Sequence, residues 1–159
     1  MTYIELIQIN PQGRPVRAVG KLDDIARQVC TATAALYAAA GFVPPWVGYL
    51  AWRDDHVVGA CAFKSAPVDG KVEIGYFTFP DWEGQGIGTL MVRQLLDIAH
   101  TAQPQLTVIA QTGNEEGASS AILRKLGFTF ARAFEHVDDG EIWEWQWVGG
   151  AQALESPDV

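Results

Sequence analysis

Basic side chains are in short supply in this chain, where eleven Lys and Arg stand against nineteen Asp and Glu for a formal charge of −8. Nucleic acid is therefore excluded as the main partner, because phosphate binding needs a basic footprint. The acidity serves solubility and is compatible with a cationic substrate such as an amine. Cysteine is scarcer still: Cys30 and Cys61 have no metal or redox spacing, and each lies in an apolar pattern, so both read as core. His56, His100 and His136 are scattered and form no ligand motif, so no metal is expected. Long apolar runs are missing too. The longest, Ala32 to Val43, is alanine-rich, stops at Pro44-Pro45 and falls short of the about 20 residues a membrane helix needs. Residues Met1 to Asn10 lack the basic stretch and apolar run of a signal peptide, so a cytoplasmic protein with no membrane partner is expected.

What is present suits one globular domain. A chain of 159 residues, 48% hydrophobic and 19% charged, can bury a full core without metals or cross-links. The expected domain is 1–148, with 149–159 as a flexible tail. Thr2 to Ile9 reads as a strand, followed by a turn at Asn10-Pro11-Gln12-Gly13. Apolar positions from Leu22 through Ala26, Val29 and Tyr37 to Ala40 mark a helical face, entered at Asp23-Asp24 and closed by Gly41. Trp46–Arg53 and His56–Lys64 form a hairpin about Asp54-Asp55, and Pro67 to Gly70 turns into a strand, Val72–Phe79.

A second helix then faces the core with Ile87, Leu90, Met91, Leu95, Ile98 and Ala99, and solvent with Arg93, Gln94 and Asp97. The strand Leu106–Ala110 is reached by that helical crossover and so lies parallel to the strand before it. A short helix, Gly117–Leu126, ends at a left-handed Gly127, and Phe128–His136 pairs with Glu141–Val148 as a closing hairpin. The expected fold is α/β: a mixed, mostly antiparallel sheet of about seven strands flanked by helices.

One segment carries chemistry. The strand ending at Phe79 runs into Glu83-Gly84-Gln85-Gly86-Ile87-Gly88-Thr89 and then a helix. At a helix start the first N–H groups are free and the dipole is positive, so such a turn cradles phosphate without a lysine. The Lys-Ser/Thr end of a P-loop is missing. Read from Gly84 as a dinucleotide fingerprint, the third glycine comes one residue early, and three antiparallel strands upstream do not suit a Rossmann unit.

With Val72-Glu73-Ile74-Gly75-Tyr76 before the turn and Lys125-Leu126-Gly127-Phe128 after it, the chain resembles the GNAT superfamily of acyl-CoA N-acyltransferases. The resemblance covers Trp46 to Val148 and is closest to the ribosomal-protein N-acetyltransferase-like branch. It implies acetyl-CoA as cosubstrate and transfer of the acetyl group to a primary amine by direct attack in a ternary complex. The alternative is a non-catalytic acyl-CoA-binding module. Glu83, Glu116 and Leu123 keep it open, standing where the family has Arg or Gln, Asn and Tyr.

By that resemblance CoA is held by the main chain of Phe77, Thr78 and Phe79, by Gln85, Gly86, Ile87, Gly88 and Thr89, by Asn114 through a shifted loop, and by Ser119. Lys125 either approaches the CoA 3′-phosphate or serves only the helix dipole. Glu73 is either the general base or a solvent-facing strand residue. Gln111, at the family's other base position, can only orient the amine or a water. N–H groups around Phe77 meet the oxyanion, and Ser119 or a water assists a thiolate whose pKa of ~8.5 already makes it a tolerable leaving group.

Two aromatic groups remain. Trp143, Trp145 and Trp147 alternate and share one face, as a core or interface ladder or else as an acceptor pocket or homodimer surface. Tyr37, Phe42 and Trp46 are expected by resemblance to wall the acceptor site, with Asp54 adding negative charge for a cation.

Overall fold

The computed structural model describes residues 3–149. The strands are β1 (Glu5–Gln8), β2 (Gly48–Arg53), β3 (His56–Phe63), β4 (Lys71–Thr78), β5 (Thr107–Gly113), β6 (Thr129–His136) and β7 (Gly140–Val148). The helices are α1 (Asp24–Ala40), α2 (Ile87–Ala102) and α3 (Ala118–Lys125). All seven strands join one sheet in the order β1-β2-β3-β4-β5-β7-β6. Every pairing is antiparallel except β4 with β5, which the α2 crossover makes parallel.

Local signals set the element ends. The Asp23 carboxylate accepts the N–H of Ala26 at 2.8 Å as an N-cap of α1, and Gly41 closes that helix at φ 96°. At the end of α3 the N–H of Phe128 reaches the Leu123 carbonyl and that of Gly127 reaches Arg124, the Schellman pattern that a left-handed glycine allows. A 3-10 turn, Pro80–Trp82, intervenes between β4 and the glycine turn. Proline at its first position pre-sets φ for that turn.

Each face of the sheet has its own core. Met91, Val92 and Leu95 of α2 are fully buried against Phe63, Ile74 and Val108. Across the sheet, Ala26 and Cys30 of α1 pack with Ile7, Leu50 and Ala60. Burial pushes both thiols, Cys30 and Cys61, upward and keeps them neutral. The α2 face is rotated from its expected position: Val92 and Leu96 are buried, Leu90 and Ile98 only partly so. Gln94 turns inward to donate to the Ile4 carbonyl at 3.0 Å, tying α2 to the start of β1.

The tryptophan ladder is core at its centre. Trp145 is 0% exposed and donates its indole N–H to Thr112 Oγ1 at 3.0 Å, with Phe130 edge-on to both Trp143 and Trp145. It packs on the α2–α3 side of the sheet, so it offers neither an acceptor wall nor, at Trp145, a dimer surface. The expectation for Tyr37 and Trp46 is corrected as well. Both are buried: Tyr37 donates to the Ile9 carbonyl at 2.7 Å and accepts the N–H of Gly48 at 2.8 Å, and Trp46 packs edge-on to Phe63. Tyr37 therefore ties α1 to β1 and β2. Tyr37→Phe leaves the Gly48 N–H unpaired and is expected to cost about 1–2 kcal/mol, read as a Tm lowered by roughly 2–8 °C in a thermal melt. No helix among the described residues is long and apolar enough to cross a membrane.

Candidate active site

The parallel ladder between β4 and β5 runs only from Lys71↔Thr107 to Ile74↔Ala110, although β4 continues to Thr78 and β5 to Gly113. Beyond Ile74 the two strands separate, leaving main-chain groups of β4 without a partner strand. Which groups these are follows from the register. On the β3 side, Lys64 donates to the Glu73 carbonyl at 2.8 Å and Phe79 donates to Val58 at 3.0 Å. On the β5 side, Thr107 donates to the Gly70 carbonyl at 3.0 Å.

Main-chain direction alternates along a strand, so odd-numbered residues of β4 face β3 and even-numbered ones face β5. Phe77 pairs with Ala60, and its N–H is spent in the β3 ladder. Tyr76 and Thr78 are the residues whose N–H groups point into the gap. Of the N–H groups expected to serve around Phe77, those of its two neighbours face the gap and that of Phe77 itself does not.

The glycine turn closes the far end of the gap. Gly84 and Gly86 have φ of 79° and 80°, a left-handed geometry that side-chain-bearing residues avoid. Gly86 is the N-cap of α2, without a side-chain cap, and the first helical bond is Leu90 N–H to the Gly86 carbonyl at 3.2 Å. The N–H groups of Ile87, Gly88 and Thr89 consequently have no acceptor within the helix. A Cβ placed on Gly84 or Gly86 would meet nothing within 4 Å, so the space above the turn is open to a ligand. Gly88 packs against α3: a Cβ there would lie 2.8 Å from Ile122 Cδ1, so a larger residue requires the end of the Ile122 side chain to shift.

Between these parts lies a cleft of about 520 Å³. Its walls are Tyr76, Phe77 and Thr78 of β4, all of the Glu83–Thr89 turn except Gln85, and Ala118, Ser119 and Ile122 of α3. Seven of the expected contacts are brought together here: Phe77, Thr78, Gly86, Ile87, Gly88, Thr89 and Ser119.

Other expected contacts fall elsewhere. Phe79 is 2% exposed in the α1-side core, and its N–H is already bonded to Val58. Gln85 points away and accepts from Arg53 Nη2 at 2.5 Å, a guanidinium that also lies over the Trp82 ring. Asn114 is exposed beyond β5 and is not part of the cleft wall. Glu116, in the family's asparagine position, accepts from Ser120 Oγ and from Arg124 Nη2, bonds that hold its carboxyl below the usual range. It braces the start of α3 and cannot at once serve a ligand.

Glu73 sits on the α1 face of β4, its side chain 30% exposed, with Lys64 Nζ 3.3 Å away. It precedes Phe77 by four residues, roughly 13 Å along a strand, so it reaches the gap only through water. The pair with Lys64 is partly exposed and contributes little.

Tyr76 is the residue that sequence reasoning missed. Its hydroxyl donates to the Ser119 carbonyl at 3.3 Å across the cleft, and burial pushes its pKa up so that it stays protonated. Strand alternation was the available signal, since it places Tyr76 and Thr78 together.

A strand pair that splays open beside a helix start with free N–H groups is the architecture of an acyl-CoA acyltransferase. The chain belongs to the GNAT acetyltransferase family, whose domain description, Acetyltransferase (GNAT) domain, matches residues 8–129. Its fold is similar to that of the ribosomal L7/L12 alpha-N-protein acetyltransferase RimL in complex with coenzyme A: TM-score 0.70, 16% identity, 95% of this chain and 97% of that one. It is also similar to the Salmonella typhimurium acetyl transferase that modifies the N-terminal serine of L7/L12, with TM-score 0.67, 14% identity and 93% and 96% covered. A third likeness is to YncA of Salmonella typhimurium with acetyl-CoA, at TM-score 0.62, 16% identity and 92% and 94% covered. No curated protein sequence matches the chain.

Proposed function

We propose that this protein is an N-acetyltransferase that moves the acetyl group of acetyl-CoA onto a primary amine, a peptide N-terminus or a small amine, by direct attack in a ternary complex. The observation that carries this is the opening between β4 and β5, with unpaired Tyr76 and Thr78 N–H groups at one end and the free N–H groups of Ile87 to Thr89 at the other. The helix start would take the diphosphate and the strand edge the pantetheine amides. Acetyl-CoA would supply an activated thioester. Arg53, held at the turn by Gln85 and Trp82, offsets the negative charge that Glu83 brings to the cleft wall.

The chain's own groups then cover three needs. Glu73 accepts the amine proton through a chain of waters. An N–H of Tyr76 or Thr78 steadies the negative charge developing on the carbonyl oxygen, at no reorganisation cost because the strand fixes it. The Tyr76 hydroxyl, kept protonated by burial, turns from the Ser119 carbonyl to donate a hydrogen bond to the departing thiolate, which takes its proton from water. A non-catalytic acyl-CoA-binding module is favoured by one observation, the complete burial of Leu123 at the family's tyrosine position. Tyr76, reaching α3 from the opposite wall, answers it.

The test is release of CoA thiol when the protein is incubated with acetyl-CoA and a panel of primary amines. Amine-dependent release supports transfer, and CoA binding without release for any amine supports the binding module.

A further inference from the structure

A second cavity, of about 260 Å³, lies on the α1 side of the sheet, across β4 from the cleft. Tyr76 and Phe77 line both, so only this stretch of β4, where the main-chain donors sit, stands between the two spaces. The cavity exists because the sheet is thin there. In register across β2, β3 and β4 stand Gly48, Ala62 and Gly75, and Ala60 lies beside them, where a helix-covered sheet ordinarily carries branched side chains. The helix contributes Val29, Ala32 and Leu36 above this floor. Phe77, 47% exposed, forms the lip.

Polar groups at this wall are already committed. Thr33 Oγ1 donates to the Val29 carbonyl at 2.8 Å, and the hydroxyls of Tyr49 and Tyr76 donate to Pro45 and Ser119. Cys61 is held neutral by burial. Among the described residues the charged pair beside the floor is Lys64–Glu73, with Lys64 Cε placed 3.2 Å from where a Gly75 Cβ would be.

We infer that this cavity receives the acceptor, and that the acceptor is a singly charged primary amine bearing a compact apolar substituent. The inference rests on the reading of the protein as an N-acetyltransferase. A space of this size holds roughly nine water-sized groups, and its apolar lining gains by covering apolar surface, Phe77 included. Polyamines and amino sugars bring several ammonium or hydroxyl groups. Against this wall they would lose water without finding partners, and a single carboxylate, already facing Lys64, serves one ammonium at most.

The experiment compares kcat/KM for 2-phenylethylamine, ethylamine, spermidine and kanamycin at saturating acetyl-CoA, alongside calorimetric CoA binding. The expected preference for 2-phenylethylamine over ethylamine is at least about 30-fold, with spermidine and kanamycin no better than ethylamine. Ala62→Leu, which fills the floor, should lower kcat/KM for 2-phenylethylamine about tenfold while CoA affinity is unchanged. Should that variant fail to fold, the wild-type preference decides alone. A preference for spermidine or kanamycin, or failure of 2-phenylethylamine to stabilise the CoA-bound protein in a thermal shift, overturns the acceptor assignment and leaves the donor cleft standing. Absence of CoA binding overturns the transferase reading itself.

Discussion

Gly86→Val is expected to lower CoA affinity by about 100- to 1,000-fold in calorimetric titration. Two effects act together. Gly86 sits at φ 80° and ψ 11°, a region that a β-branched residue enters only under strain, so the N-cap must shift and carry the following N–H groups with it. The new side chain also projects into space that is otherwise empty within 4 Å, where a diphosphate would lie. Loss of two charge-assisted hydrogen bonds to backbone N–H costs about 3–4 kcal/mol, which sets the magnitude. Gly86→Ala keeps the backbone strain with less bulk and should fall between variant and wild type. Circular dichroism of each protein checks that α2 still forms. Unchanged affinity in a folded Gly86→Val protein would place the diphosphate elsewhere.

Glu73→Gln should reduce kcat about 100-fold at neutral pH with CoA affinity unaltered, the lower end of what general base catalysis contributes. The substitution keeps size and hydrogen-bonding capacity and removes only the ability to hold a proton. Its pH dependence separates a base from a structural role. An alkyl amine has a pKa of ~10, so as pH rises towards that value more of it arrives already neutral and the base is needed less. The deficit of Glu73→Gln should therefore shrink steadily with rising pH. A deficit that is constant with pH would mean that Glu73 only shapes the wall, and turnover within twofold of wild type at neutral pH would remove it from the mechanism.

Much of this fold is readable locally. Asp23 and Gly41 bound α1, Gly127 forms a Schellman end, and short polar links require hairpins, because each depends on residues within a few positions. The glycine turn is legible for the same reason, being a single stretch of chain whose geometry and free N–H groups belong together.

What escaped sequence reasoning depends on pairing between distant segments. Alternation shows that Tyr76 and Thr78 share a direction opposite to Phe77, but only the register against Ala60 reveals which set faces the gap. Gln85 looked like a ligand contact until the hairpin end brought Arg53 to it from 32 positions away. Phe79 was lost from the site because β3 claims its N–H and the α1-side core claims its ring. The acceptor cavity was invisible for a similar reason: Gly48, Ala62 and Gly75 are unremarkable singly and matter only in one row.

Titration of CoA into the wild-type protein by calorimetry bears most directly on the central claim, that the opening between β4 and β5 and the N-terminus of α2 form one acyl-CoA site. The expected result is saturable one-to-one binding with Kd on the order of micromolar to sub-millimolar, as for ordinary enzyme substrates. Absence of saturable binding up to millimolar CoA would contradict it.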